Sequence, residues 1–153
     1  MRAVSVVENF PGSVHEAETL WYDTTRWPDW VDGLARVTKV DDRWPQLGSS
    51  VIWESGPAGR GQVVERVVDF QPLAGCVVEV HDDSIRGRQS VAFAPDEEAV
   101  EIVLTLEYEI RRRSPLTPLV DLLFIRRVFR MSLEATLHRF GLELEAARAR
   151  GVG

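Results

Sequence analysis

The apolar residues change their spacing at Ser114-Pro115, and that change limits the folds open to the chain. Before it, Ile102, Leu104, Leu106, Tyr108 and Ile110 alternate with Glu101, Val103, Thr105, Glu107 and Glu109, the pattern of a strand with one buried and one wet face. After it, Leu119, Leu122, Phe129, Leu133, Leu137, Phe140 and Leu144 recur at the helical period and form one stripe. A long amphipathic helix that follows a one-sided sheet has one obvious burial site, the apolar face of that sheet. The expected architecture is therefore an α+β domain of two layers.

Upstream, the valine-rich run Ala3 to Phe10 reads as a strand that Pro11-Gly12 stops. Ser13 and Glu16 then form a capping box, which starts a helix running to about Tyr22 with Val14, Ala17 and Trp21 on one face. Pro28 marks the start of a short second helix, which Gly33 ends. From Ala35 to about Arg113 there are six strand candidates, divided by turn signals at Pro45 to Gly48, Gly56 to Gly61, Gln71 to Gly75, Asp82 to Gly87 and Ala94 to Glu98. Short connections imply antiparallel hairpins, so the expected sheet is seven-stranded and antiparallel. Residues 1–150 fit a single domain, since 153 residues can bury one sizeable core and hardly two.

Charge and cysteine usage exclude several classes of function. With 18 basic against 24 acidic residues, the net charge of −6 provides no basic face for nucleic acid. The single cysteine, Cys76, has no internal disulfide partner, and no basic-then-apolar leader precedes Glu8, which reads as a cytoplasmic chain. Apolar runs such as Leu122 to Ile125 are far shorter than the ~20 residues of a membrane-spanning helix. His15, His81 and His138 lack metal-ligand spacing, and the glycines between Gly56 and Gly61 precede a strand instead of the helix a phosphate cradle needs. Neither a metal nor a cofactor is expected.

The order strand, capped helix, short helix, six strands and long helix resembles the START-like (SRPBCC) superfamily, particularly its polyketide cyclase/dehydrase and lipid transport group. The most specific match is Asp23-x-x-x-Trp27-Pro28-x-Trp30, similar to the segment by which that family passes from its first helix to its second. Phe70-Gln71-Pro72 and the Gly48 hairpin also resemble family features. The resemblance implies a helix-grip fold, a curved sheet wrapped around the long C-terminal helix, with a cavity between them that holds a hydrophobic molecule. It implies no particular reaction and carries over no catalytic residue.

Given such a cavity, its polar candidates follow from the strand and helix faces. In Gln62 to Phe70, Val64, Val68 and Phe70 share a face with Arg66, so Arg66 is expected to point inward and to pair with an anionic ligand oxygen, unless it snorkels to water. Tyr108 stands on the apolar face of the clearest strand, where a buried hydroxyl needs a partner in ligand or backbone. Gln89 is a further inward polar residue, and Arg126 interrupts the helix stripe between Leu122 and Phe129. Trp30, Trp53 and Phe129, with Trp27, are expected near the cavity or its mouth, although core packing explains tryptophans equally well.

Three functions are compatible with this reading. The first is a protein that binds a lipid-like, polyketide-like or aromatic molecule in an internal cavity. The alternative is a cyclase, aromatase or dehydratase using the same cavity, with Arg66 and Tyr108 stabilising an enolate and no general base in evidence. A third, a protein scaffold, requires Leu123, Phe124 or Val128 to be exposed. The run Pro115 to Arg130, apolar and then arginine-rich, suits a membrane-facing entrance, which the acidic overall charge disfavours. The chain is expected as a monomer or homodimer.

Overall fold

The computed structural model describes residues 2–57, 59–111 and 119–152. Its elements run β1 (Arg2–Pro11), α1 (Val14–Tyr22), a short 3-10 turn (Thr24–Arg26), α2 (Trp27–Trp30), β2 (Leu34–Val40), β3 (Ser50–Ser55), β4 (Gln62–Gln71), β5 (Gly75–His81), β6 (Ile85–Asp96), β7 (Ala99–Ile110) and α3 (Leu119–Val152). The strands form one curved antiparallel sheet in the order β1-β7-β6-β5-β4-β3-β2, so every sequential pair from β2 to β7 is a hairpin and β1 closes against β7. This is the expected helix-grip arrangement of seven strands, two short helices and one long helix.

Local chemistry accounts for the helix starts. Ser13 Oγ accepts from the Glu16 amide (3.1 Å), and Glu16 accepts in turn from the Ser13 amide (3.0 Å), the reciprocal box read from the sequence. Asp23 caps the next turn by accepting from the Thr25 amide, and Pro28 lies in the first turn of α2. Near the start of β6, a Cβ at Gly87 would overlap the main-chain carbonyl of Glu107 on β7, so only glycine permits this approach.

The buried face of β7 is the one its alternation marks: Val100, Ile102, Leu104, Leu106 and Tyr108. Against it α3 buries Leu133, Leu137, Phe140 and Leu144. Trp21, Trp30 and Phe140 meet in a cluster, with ring centroids 4.7 to 5.1 Å apart, that joins α1, α2 and α3. Polar ties hold α3 to the segment around α2: Arg26 to Glu143 (2.6 Å), Ser132 Oγ donating to Asp32 (2.7 Å), Arg139 to Asp32 (3.2 Å), and the Asp32 amide donating to Thr136 Oγ1 (3.0 Å).

Two expectations are corrected here. Arg66 does not face inward. It is exposed on the outer face, and the buried residues of β4 are Val63, Glu65 and Val67. The cause is a bulge against β5 between Val67 and Asp69. Phe70 is partly buried against the core as expected, but the extra residue shifts the alternation, so counting back from it in twos reaches Arg66 instead of Glu65. Arg126 is also exposed, because the first half of α3 does not lie flat on the sheet. The stretch from Pro115 to Pro118 and the side chain of Leu119 lie outside the described residues. Among the described residues, no helix is long and apolar enough to cross a membrane.

Candidate functional site

Where α3 stands off the sheet, a cavity of about 710 Å³ opens between them. Its apolar walls include Ile85 and Ile110 from the sheet and Phe124, Ile125, Val128 and Phe129 from α3. Trp53, Arg60, Asp32 and Ser132 line this outer compartment and also a smaller inner chamber of about 50 Å³, which reaches Trp30, Glu65, Gln89, Leu104 and Thr136. The outer volume falls within the 300 to 1,000 Å³ range, roughly, of small-molecule sites, and Asp32, Arg60 and Ser132 among its polar residues reach on into the inner chamber.

The inner chamber is organised by four side chains. Trp53 Nε1 donates to Glu65 Oε2 at 2.6 Å, both residues being buried. Burial pushes the Glu65 carboxyl above its ordinary range, against the opposing pull of the Trp53 hydrogen bond and the Arg60 charge. Arg60 lies in the loop before β4, its guanidinium 5.7 Å from the Trp53 ring centroid. Its Nε pairs with Asp82, a fully buried carboxylate that also accepts from the amides of Ser84 (2.7 Å) and Ile85 (2.9 Å). Asp82 thus fixes the direction of the guanidinium. Two donors of the chamber, Arg60 Nη2 and Trp30 Nε1, have no partner among the described residues.

Of the residues expected at the site, Trp30 and Gln89 line the inner chamber, Trp53 lines both compartments and Phe129 the outer one; Trp27 also reaches the inner chamber. Tyr108 lines neither. It is fully buried beneath Phe129, with ring centroids 4.7 Å apart, its hydroxyl lacks a partner among the described residues, and burial raises its pKa. Arg66 and Arg126 point away. Glu65, Arg60 and Asp82 carried no clear signal in the sequence. Glu65 was hidden by the β4 bulge, and the other two sit in turns, where arginine and aspartate are ordinary surface residues. Cys76 is buried, and its thiol is pushed up to about 11 by burial, which leaves it protonated and inert at neutral pH.

Residues 1–145 match the family model described as polyketide cyclase / dehydrase and lipid transport. The chain belongs to this family. Among solved structures it is similar to the Zhui aromatase/cyclase from a Streptomyces species, with a TM-score of 0.80 and 17% identity over 99% of this chain and 98% of that one. A START superfamily protein from Mycobacterium smegmatis superposes with a TM-score of 0.76 at 11% identity, covering 95% of this chain and 98% of the other. The di-domain aromatase/cyclase StfQ of the steffimycin biosynthetic pathway gives a TM-score of 0.74 at 18% identity, covering 95% of this chain but 52% of its own. Identities this low carry the fold alone. None of the curated proteins matches. The family match and the shared fold support a ligand-binding fold.

Proposed function

We propose that this protein binds a small, largely apolar molecule, lipid-like, polyketide-like or aromatic, in the cavity between its sheet and α3. The observation that carries this reading is the 710 Å³ compartment with isoleucine and phenylalanine walls that leads to a polar inner end. Nile red titration is the direct test. The native protein takes up the dye with a blue-shifted emission, and Ala135→Trp, which fills the compartment from α3, abolishes uptake while circular dichroism stays native. A native-like variant that binds the dye as well as the parent would overturn the reading. Native mass spectrometry of protein from its own host then identifies the ligand class.

A second reading, a cyclase or dehydratase using the same cavity, is favoured by one observation: Glu65 is an ionisable carboxyl at the inner chamber, the kind of proton donor or acceptor such chemistry needs. The Zhui and StfQ proteins, named as aromatase/cyclases, share the fold. Glu65→Gln separates the two readings, since glutamine keeps the shape and the hydrogen bond from Trp53 but transfers no proton. Binding retained with turnover abolished supports the enzyme, and unchanged turnover of a real substrate removes Glu65 from the chemistry.

A further inference from the structure

Resting on the cavity-binding reading, we infer that the inner chamber is a subsite for an uncharged hydrogen-bond acceptor, a ketone or quinone oxygen at the tip of a flat apolar molecule. Among the described residues Arg60 Nη2 and Trp30 Nε1 are buried donors without acceptors, and both residues line this chamber. Buried donors in native proteins are nearly always satisfied, and what the protein does not supply a ligand or a water must. Neither donor is bonded to the chamber's own oxygens, and together they call for an oxygen from outside the protein.

Charge decides which oxygen. The Arg60 guanidinium is already neutralised by Asp82, itself fully buried. A carboxylate entering the chamber would be a buried anion with no free cation to balance it, because Asp82 already takes the Arg60 charge, and that is costly. A carbonyl oxygen accepts from both donors and adds no charge. Glu65 assists, because burial favours its protonated form, whose O–H is a third donor while the other oxygen still accepts from Trp53. Size points the same way. An apolar cavity of about 150 Å³ accommodates one benzene ring, so a chamber of about 50 Å³ admits only a polar tip. The ring system belongs in the outer compartment, against Ile85, Ile110, Ile125 and Phe129.

The test is calorimetric titration with three probes on one frame: acetylnaphthalene, ethylnaphthalene and naphthoate. The ketone is expected to bind about tenfold tighter than the hydrocarbon, as one or two added hydrogen bonds allow, and naphthoate is expected to bind weakest. Arg60→Met and Trp30→Phe each bring the ketone down toward the hydrocarbon, whose retained affinity certifies that the variant is folded. Equal binding of ketone and hydrocarbon by the native protein, as when the donors simply keep a water, overturns the subsite alone. Tightest binding by naphthoate overturns it in favour of an anion site. Failure of all three to bind overturns both the subsite and the cavity reading beneath it.

Discussion

The two halves of α3 pack against the same sheet and do opposite things. From Leu133 onward the helix is pressed into the core, and Leu133, Leu137, Phe140 and Leu144 are all buried. Before that point, among the described residues, only Leu122 is buried; Ile125 and Phe129 are half-buried, and Phe124 and Val128, which line the cavity, are 65% and 45% exposed. The difference lies in what faces each half. The later half meets Phe10, Trp21 and Trp30, aromatic rings from β1, α1 and α2 that fill the gap. The earlier half meets the Tyr108 ring only at Phe129, and opposite the rest of it Trp53, Ile85, Ile110 and the loop carrying Arg60 leave space unfilled, which is the cavity. One amphipathic stripe thus builds a core at one end and a binding wall at the other, according to the volume supplied by its neighbours.

The sharpest test of this contrast removes a ring from each end. Phe140→Ala leaves a hole in a fully packed cluster and should cost about 3–5 kcal/mol, read from urea denaturation. Phe129→Ala should cost roughly half as much, since Phe129 is only partly buried and already borders empty space. Equal losses would mean that the two ends are packed alike.

A smaller loss tests closeness at the packed end. A Cβ on Gly141 would overlap the ring of Phe10, which is itself buried and has little room to move. Gly141→Ala should therefore destabilise by about 1–3 kcal/mol despite alanine's better helix propensity. Gly151→Ala, with open space around it, is the control and should not destabilise. Thermal unfolding of both variants decides the matter.

How far the sequence reveals this molecule follows the same division. The core end was legible because periodic apolar residues mark their own burial: the β7 alternation, the Ser13-Glu16 box and the Leu133 to Leu144 stripe all appear where their spacing puts them. The site was legible in its apolar and aromatic parts, Trp30, Trp53 and Phe129, and not in its charges. Each phase of Val63-Val64-Glu65-Arg66-Val67-Val68 offers valines and one charge, so alternation alone cannot select a face, and the bulge removes the reference that Phe70 supplies. Arg60 and Asp82 meet only because the turns after β3 and β5 come together in space, a long-range fact without a local signature.

The open end also holds the buried carboxyl, which makes its stability depend on pH. Glu65 has a raised pKa in the folded state and an ordinary one, near 4.5, when unfolded. Its contribution is then fully present below 4.5, and it is lost as pH rises from there through the raised value, because the unfolded chain releases a proton that the folded protein keeps. The slope in that window is at most about 1.4 kcal/mol per pH unit. Glu65→Gln does not titrate, so its stability relative to the parent should climb across this window and then level off. Urea midpoints measured from pH 4 to 8, roughly, provide the comparison, and a difference that stays flat would show that Glu65 ionises freely.

The smallest effect on stability belongs to the rim. Phe124 is 65% exposed and lines the cavity mouth, so it contributes apolar surface to a ligand while resting on little of the protein itself. Phe124→Ser should change stability by no more than about 0.5 kcal/mol, the range of ordinary surface substitutions. Its affinity for Nile red should fall about threefold, since part of one wall is lost from the buried contact area. The pairing of the two measurements matters more than either alone. At Phe140 stability falls first and binding follows only through unfolding, whereas at Phe124 binding falls while stability holds. A large loss of stability from Phe124→Ser would show that the first half of α3 is packed after all and that the space beneath it closes in solution.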